Sequence, residues 1–233
     1  MTDLKVVCVK HGDKYPAYYV NRLRNMVKRH LQHPHEFICF TEDVRGIESG
    51  ISVRWLGEEP LTGWWWKTYL FKPGQFADGT TVLFFDLDMV IVNSLDKFLD
   101  YRPQHFLGLR DVSRAFYPDR RILGSAVLRW RAGDHTDIWT KLIEDPTVTA
   151  RFRGDQDWIW DLYKHSMAFF PDPWIRSYKW EIRTRREIIQ AREESRFRTV
   201  RNPDIDPETS VLAFHGYPKL EAVQDPVIVD NWR

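Results

Sequence analysis

The fold is decided by the stretch Thr81-Val-Leu-Phe-Phe-Asp-Leu-Asp88, in which a continuous apolar run precedes two aspartates. Such a run is typical of a parallel strand that is covered on both faces, whereas a half-exposed strand would alternate. Residues two apart in a strand point to the same face, so Asp86 and Asp88 leave the strand end side by side. Open α/β sheets bind ligands at the carboxyl ends of their strands, and we therefore expect a binding site here.

This aspartate pair indicates a metal site. Two neighbouring carboxylates repel each other unless a positive charge lies between them. A hard divalent cation with oxygen ligands relieves that repulsion. Asp86 and Asp88 therefore predict a metal that is held against an anionic substrate. The alternative on these residues alone is that one aspartate caps the following turn and the other is merely exposed.

Strand and helix patterns alternate on both sides of this run. Strands are predicted over residues 4–10, 36–41, 51–56, 81–86, 106–109, 125–130 and 211–214. Helices are predicted over 16–30, 64–72, 134–144 and 156–164, and the chain is expected to end in an extended tail. This order predicts an α/β protein with a mixed, mostly parallel central sheet flanked by helices. There is no internal repeat or linker, so a single domain is expected.

The composition narrows the classes of function. The 34 lysines and arginines nearly balance the 33 aspartates and glutamates, so no nucleic-acid partner is expected. No apolar run reaches the roughly 20 residues that span a bilayer, and the first residues do not resemble a secretory signal. We therefore expect a cytoplasmic protein. Cys8 and Cys39 lie in predicted buried strands and are expected to be free thiols rather than metal ligands.

A second motif, His215-Gly-Tyr-Pro-Lys219, follows the last predicted strand. A histidine at a strand end can supply an imidazole to a metal, while Gly216 and Lys219 can cradle a phosphate. A single histidine in such a position more often has a structural role. Its combination with the aspartate pair favours the metal site.

A third motif, Gly154-Asp-Gln-Asp157, opens a predicted helix. Asp155 suits the N-cap of that helix. The two acids and the amide suit equally well the orientation of sugar hydroxyls or the stabilisation of positive charge on a reacting carbon. These residues alone leave both interpretations open.

Two further segments have an unusual composition. Trp64, Trp65 and Trp66 cannot all point inward, so at least one ring is expected to line a groove or an interface. Residues 176–202 carry nine lysines and arginines against four glutamates, which predicts a basic helical excursion. This excursion is either a solvated face or lid, or an acceptor-side element in peripheral contact with an anionic membrane surface.

Six segments, taken in order, resemble the metal-dependent nucleotide-sugar glycosyltransferases of the GT-A fold. They are residues 6–9, 66–71, 82–88, 124–128, 154–157 and 215–219. The resemblance is closest to the bacterial members that are similar to the glycogenin and lipopolysaccharide galactosyltransferase group. It implies one GT-A (Rossmann-like) domain over residues 1–233. Within it, residues 1–93 would form the nucleotide-binding half and residues 94–233 the acceptor-side half.

The resemblance also implies roles for individual residues. Contacts with the donor are implied for Val9, Lys10, His11, Lys14, Lys67, Asp86, Leu87, Ser125, Ala126, Gly216 and Lys219. Metal ligation is implied for Asp86, Asp88 and His215, with Asp86 serving the ribose as much as the cation. A catalytic position near the sugar and its reacting carbon is implied for Asp155, Gln156 and Asp157.

The implied activity is transfer of a sugar from a nucleoside diphosphate, expected to be UDP, to an acceptor that the sequence does not identify. Manganese is the expected metal, with magnesium as the alternative. Gln156 between two aspartates favours retention of the anomeric configuration. The chain departs from the group where Gly216 follows His215 directly, and where Gly124-Ser-Ala126 replaces the usual Asn-Ser-Gly.

Two other functions are compatible with some of these residues. The stretch 85–94 is also similar to the first motif of haloacid-dehalogenase-type phosphatases, in which Asp86 would be the nucleophile. That motif normally lies on the first strand of its domain and continues with small residues, whereas three predicted strands precede it here and Met89-Val90 follows. The second alternative is an inactive protein that binds a nucleotide sugar without turnover. Intact Asp86, Asp88, His215 and Lys219 disfavour it.

Overall fold

A computed structural model of the chain describes residues 3–183, 185–193 and 203–233. Its strands, β1 to β10 in chain order, are Leu4–Lys10, Glu36–Thr41, Ser52–Trp55, Thr81–Phe85, Met89–Ile91, Leu107–Arg110, Leu123–Arg131, Ala168–Phe169, Ile175–Ser177 and Val211–Ala213. Its α-helices, α1 to α7, are Ala17–His30, Lys97–Asp100, Asp137–Glu144, Val148–Arg151, Asp155–Tyr163, Arg185–Glu193 and Pro226–Asn231. Tighter 3₁₀ segments cover Gly63–Phe71, Val112–Ala115, Asp172–Trp174 and Leu220–Ala222, and a π-helical turn covers Tyr178–Ile182.

Seven strands form the central sheet in the order β3-β2-β1-β4-β7-β6-β8. Neighbouring strands are parallel except at β7, which runs antiparallel to both β4 and β6. The predicted mixed, mostly parallel sheet is therefore confirmed. β1 and β4 pair with Val7 opposite Phe84, so their carboxyl ends open at the same edge of the sheet. Continuing this register brings Val9 level with Asp86.

The strand β4 is buried on both faces, as its continuous apolar run predicts. Leu83 and Phe85 pack into the core on the side of α1, and Val82 and Phe84 pack into the core on the opposite face. Full burial of such side chains contributes on the order of 2 kcal/mol each. Packing on both sides therefore holds the strand end, and with it Asp86, in a fixed place.

Three short strands form a second sheet in the order β5-β10-β9, which the sequence did not predict as a unit. β10 runs antiparallel to β5 and parallel to β9. Just beyond β10, the N–H of Phe214 donates to the carbonyl oxygen of Asp88 over 3.0 Å. This small sheet therefore brings the backbone at His215 to the aspartate pair, although the two are far apart in the chain.

The helix predicted over residues 64–72 is present as the 3₁₀ segment Gly63–Phe71. In this form, side chains three positions apart lie on one face. This geometry directs Trp64 and Lys67 to the same side, while Trp65 and Trp66 are buried. The expectation that at least one of the three rings lines a groove is confirmed for Trp64, which lines a surface cavity.

The extended tail expected at the C-terminus is wrong. Pro226 occupies the first turn of α7, a position that proline suits because its missing N–H has no helical partner there. Ile228 and Trp232 are buried, and the Trp232 ring lies 5.1 Å from that of Tyr19 in α1. Packing against α1 therefore makes this short segment helical.

The basic segment 176–202 is only partly helical. Its first residues belong to β9 and the π-helical turn, because pairing with β10 takes them into the small sheet. α6 covers Arg185–Glu193. Residues 194–202, part of the predicted membrane contact, lie outside the described residues. In the part of the chain that the structure describes, no helix has both the length and the apolar character that a membrane crossing requires.

Candidate functional site

A cavity of about 410 Å³ opens at the carboxyl ends of β1 and β4. It is lined by Val9, His11, Gly12, Asp13, Lys14, Tyr15, Gly63, Trp64, Lys67, Asp86, Leu87 and Asp88. Three separate segments therefore meet in one site: the loop after β1, the 3₁₀ segment and the end of β4. Strand ends of an open α/β sheet are where such a site is expected.

The floor of this cavity holds a compact charge cluster. The Nζ of Lys67 lies 3.2 Å from a carboxylate oxygen of Asp86 and 3.2 Å from one of Asp155. It also donates to the hydroxyl of Ser125 over 2.9 Å. Burial by itself would lower the pKa of Lys67, but the charges of Asp155 and Asp86 outweigh it and raise the pKa. Lys67 is therefore a charged ammonium that joins three elements of the fold.

Asp86 experiences more negative than positive charge. Burial raises its pKa to about 6, and Lys67 opposes this rise. The carboxylates of Asp88 and Asp155 add to the rise by repulsion. Three carboxylates against one ammonium leave the cluster short of positive charge, which favours the binding of a cation.

Asp88 is held from the side of α1. The hydroxyl of Tyr15 donates to Oδ2 of Asp88 over 2.6 Å. Tyr15 directly precedes Pro16, so the start of α1 positions this phenol. The Nζ of Lys219 lies 5.4 Å from the centre of the Tyr15 ring. The lysine predicted to hold phosphates therefore reaches the rim of the cavity beside Asp88.

The loop after β1 is braced by Glu42, which follows β2. The N–H of Gly12 donates to Oε1 of Glu42 over 2.5 Å, and the His11 imidazole lies 3.3 Å from the same oxygen. Gly12 has φ +62°, a left-handed conformation that glycine adopts without strain. Lys10 is buried, and its Nζ lies 3.5 Å from the carbonyl oxygen of Gly12. Lys10 thus supports the loop from behind, whereas His11 faces the cavity.

The start of α5 adds the predicted catalytic segment. Gly154 is the N-cap and Asp155 is the first helical residue, so Asp155 is not the cap that one interpretation predicted. Instead it is buried and paired with Lys67. Gln156 accepts from the N–H of Ser125 at 3.4 Å and donates to Asp111 at 3.5 Å. Asp157 lies one position further along the helix and is partly exposed.

β7 connects the aspartate pair to α5. The N–H of Asp86 donates to the carbonyl oxygen of Ala126 over 2.8 Å. Ser125, one residue earlier, contacts both Lys67 and Gln156. Ser125 and Ala126 therefore lie between the aspartate pair, which is predicted to bind the metal, and the start of α5, which is predicted to be catalytic.

His215 lies beside this cluster, with its ring turned toward the small sheet. Its Nε2 is 2.7 Å from the hydroxyl of Ser177, and its ring packs edge-on against Trp180 at 4.3 Å between centres. Burial and the charge of Lys179 lower the pKa of His215 to about 4, although Asp111 opposes the shift. The neutral imidazole is therefore the form present near pH 7. Gly216, next in the chain, is exposed with φ +68°.

The side chains at the cavity supply part of the coordination that a hard cation requires. Within the described residues, no group of three or more His, Cys, Asp and Glu side chains stands close enough to hold a metal. Asp86 and Asp88 are a donor pair of the kind that Mg²⁺ and Mn²⁺ use when phosphates and water complete the coordination. The surplus of negative charge around Asp86 agrees with this fit. Metal ligation by His215 stays a prediction.

Trp64 forms one wall of the cavity and is 61% exposed. Its indole Nε1 donates to the carbonyl oxygen of Arg153 over 3.0 Å. A Cβ on Gly154 would lie 2.3 Å from this nitrogen, so only glycine leaves room for the ring. The hydrogen bond and the close packing thus join the wall of the cavity to the start of α5.

Sequence reasoning missed several lining residues. The predicted loop ended at Lys14, one position before Tyr15, because no spacing rule links Tyr15 with Asp88. Ser177, which contacts His215 but does not line the cavity, was missed because the basic segment was interpreted as helical. For Trp64, the run of three tryptophans was a usable signal, but it did not show which ring faces the cavity.

No family model matches the chain, and no curated protein matches it in sequence. Solved structures do match. The glycosyltransferase GlyE of Streptococcus pneumoniae TIGR4 superposes with a TM-score of 0.62 and 14% identity, over 94% of this chain and 56% of the GlyE chain. The galactosyltransferase LgtC, solved in complex with donor and acceptor sugar analogs, superposes with a TM-score of 0.60 and 15% identity, over 93% of this chain and 88% of the LgtC chain. The bifunctional glycosyltransferase WbbM superposes with a TM-score of 0.60 and 13% identity, over 99% of this chain and 50% of the WbbM chain.

These likenesses show the fold. The described chain has the GT-A-like architecture of these glycosyltransferases, which confirms the fold that the sequence motifs imply. At identities of 13% to 15%, residue roles do not transfer by alignment. The roles of the side chains at the cavity therefore follow from their own positions and chemical properties.

Proposed function

We propose that this chain is a metal-dependent glycosyltransferase that moves a sugar from a nucleoside diphosphate to an acceptor. The observation that carries the proposal is the pair Asp86 and Asp88, which faces a cavity of about 410 Å³ at the strand ends of a GT-A-like fold. Its structural neighbours bear the names of glycosyltransferases, and one of them was crystallised with donor and acceptor sugar analogs. UDP is the nucleotide we propose, and manganese or magnesium the metal.

The charges at the cavity suit a diphosphate. Asp86 and Asp88 would hold the cation, and Lys219 at the rim would contact the phosphate oxygens. When bound, the cation would stabilise the negative charge that develops on the departing diphosphate. His11, Lys14 and Trp64, which also line the cavity, would border the base and ribose.

The residues around α5 suit the sugar. Gln156 lies beside Ser125 and Asp111, where its amide can contact hydroxyls or the reacting carbon. Asp155 is buried and forms an ion pair with Lys67, so we assign it to positioning that lysine rather than to contact with the sugar. We propose retention of the anomeric configuration, and a product anomer opposite to that of the donor would contradict it.

The test is a thermal-shift screen of nucleoside diphosphates and nucleotide sugars, with and without manganese. We expect stabilisation by UDP compounds that requires the metal, since ligands that bind the folded state raise the melting temperature. Asp88→Ala should abolish the metal-dependent part of the shift. Asp161→Ala is the matched control, because Asp161 pairs with Lys164 at the exposed end of α5. No nucleotide-dependent shift in the wild-type protein would overturn the proposal.

The phosphatase alternative uses the same aspartates differently. There Asp86 would attack a phosphate and form an aspartyl-phosphate. A generic aryl phosphate separates the two functions, because a phosphatase would hydrolyse it with magnesium alone. Turnover that is lost in Asp86→Ala would favour the phosphatase, whereas no turnover together with nucleotide-sugar hydrolysis would favour the transferase.

A further inference from the structure

An exposed aromatic surface lies next to His215, beside the candidate site. It consists of Phe116, Tyr117 and Trp180, and we call it the aromatic shelf. Phe116 is 50% exposed and Tyr117 is 61% exposed, while Trp180 is half-buried. Phe116 packs edge-on against Trp180 with 5.1 Å between ring centres. Large exposed aromatic rings in one place are unusual for a surface without a ligand.

The shelf is built on a buried ion pair rather than on loose loops. Phe116 follows the 3₁₀ turn Val112–Ala115, and Trp180 belongs to the π-helical turn Tyr178–Ile182. Arg114 joins the two turns, because its guanidinium donates to both carboxylate oxygens of Glu181, at 3.2 and 3.0 Å. The Arg114 side chain is buried, and Glu181 also accepts from the N–H of Ser177 at 2.7 Å. The rings are therefore held in place before any ligand arrives.

Polar groups of the candidate site border the shelf. The Trp180 ring contacts His215 at 4.3 Å between centres. Asp111 caps the turn that leads to Phe116 by accepting from the N–H of Ser113 at 2.9 Å. Its other oxygen contacts the amide of Gln156. The shelf thus continues directly into the residues that would face the transferred sugar.

We propose that the aromatic shelf binds a saccharide acceptor and that it determines the preference for this class of acceptor. A pyranose ring presents a face of C–H groups that packs on an aromatic ring, and its hydroxyls need planar hydrogen-bonding groups at the edge. Phe116 and Tyr117 supply the rings, and Asp111 with Gln156 supplies the edge. Both side chains are already oriented by hydrogen bonds to each other and to the N–H groups of Ser113 and Ser125. The inference rests on the proposed function for its chemistry, but saccharide binding can be measured without any turnover.

The experiment is saturation-transfer NMR with methyl β-glucopyranoside and methyl β-galactopyranoside, recorded with and without UDP and manganese. Mannitol is the control probe, because it carries similar hydroxyls without a ring face. We expect transfer to at least one pyranoside and none to mannitol. Tyr117→Ala and Phe116→Leu should reduce the transfer roughly fivefold, as expected for the loss of an aromatic contact. Phe116→Leu keeps apolar volume in contact with Trp180, so it tests the ring with little risk to the fold.

Trp55→Ala is the matched protein control. Trp55 is 60% exposed like the shelf residues, but it lies on the edge strand β3 of the central sheet. Its loss should leave saccharide binding unchanged. Equal transfer in the wild type and both shelf variants, no transfer in the wild type, or equal transfer to mannitol would each overturn the proposal. Failure of the proposed function would appear separately, as a missing UDP-dependent thermal shift in the same preparation.

Discussion

Lys67 is the residue on which the site depends most directly. Its ammonium is buried between Asp86 and Asp155, and it also reaches Ser125. Without this positive charge, mutual repulsion between the two carboxylates would lower the stability of the folded state. The residue therefore contributes to the stability of the protein as well as to the geometry of the cavity.

Lys67→Met should lower the free energy of unfolding by about 3 kcal/mol, because it leaves the buried carboxylate of Asp155 without its counter-charge. Urea denaturation monitored by circular dichroism measures this change. Lys72→Met is the control, since Lys72 pairs with Glu59 at the surface, where such pairs contribute less than about 1 kcal/mol. Equal losses for the two variants would contradict the role of Lys67.

Tyr15→Phe should weaken the metal-dependent binding of UDP by about tenfold, because the loss of a hydrogen bond to a charged group costs about 1.5 kcal/mol or more. The melting temperature without ligand should change little. Isothermal titration of UDP with manganese measures the affinity. Tyr18→Phe removes a similar hydroxyl in the first turn of α1, one that donates to Glu221, and should leave UDP affinity intact. A similar decrease in both variants would show that Tyr15 does not act through Asp88.

At the scale of elements, the 3₁₀ segment and α5 act as one unit. Trp64, in the 3₁₀ segment, donates a hydrogen bond to the carbonyl oxygen of Arg153, just before α5. Gly154 leaves space for the indole. An α-helix over the same residues would turn Trp64 and Lys67 apart by a larger angle than the 3₁₀ form does. The tighter segment is therefore what brings an exposed ring and a buried ammonium to one cavity.

Gly154→Ala should destabilise the protein by about 2 kcal/mol, since its Cβ would clash with the Trp64 ring. The double variant Trp64→Ala with Gly154→Ala removes the clash. We therefore expect the two changes to be non-additive, with the double variant more stable than the sum of the single effects. Chemical denaturation of all four proteins gives this coupling. Strict additivity would show that the contact does not govern the start of α5.

At the scale of the whole molecule, the small sheet and the C-terminus close over the site. Asp225 is buried and accepts from the Tyr178 hydroxyl at 2.5 Å and from the Arg183 guanidinium at 3.0 and 2.6 Å. This network ties the π-helical turn to the start of α7. Trp232 then packs α7 against α1. The C-terminal helix is thereby joined to α1, which also bonds to Glu221, two residues after Lys219, through Tyr18 and Tyr19.

Asp225→Ala should reduce the free energy of unfolding by about 4 kcal/mol, because Arg183 would remain buried without a counter-charge. Asp230→Ala, at an exposed position of α7, should change it by less than about 0.5 kcal/mol. Urea denaturation of both variants measures the two changes in the free energy of unfolding. A small effect of Asp225→Ala would mean that water reaches Arg183 and that the network does not close the molecule.

The sequence by itself determined the central architecture and the position of the aspartate pair. The run 81–88 is apolar enough to require burial on both faces, and this requirement places Asp86 and Asp88 at a strand end whatever the rest of the chain does. Periodicity and turn residues likewise predict α1, β2 and β7 within a few residues. These features are local, so a single sequence contains them.

Only the tertiary structure decided which distant side chains meet the pair. The contacts of Lys67 with Asp155, of Tyr15 with Asp88, and of Ser177 with His215 each join segments that no spacing rule connects. β10 was predicted from its apolar run, but β5 and β9 are too short to show a period of two, and pairing with β10 rather than propensity makes them strands. Long-range packing sets these contacts, which is why the pairing of Tyr15 with Asp88 and of Lys67 with Asp155 emerged only from the fold.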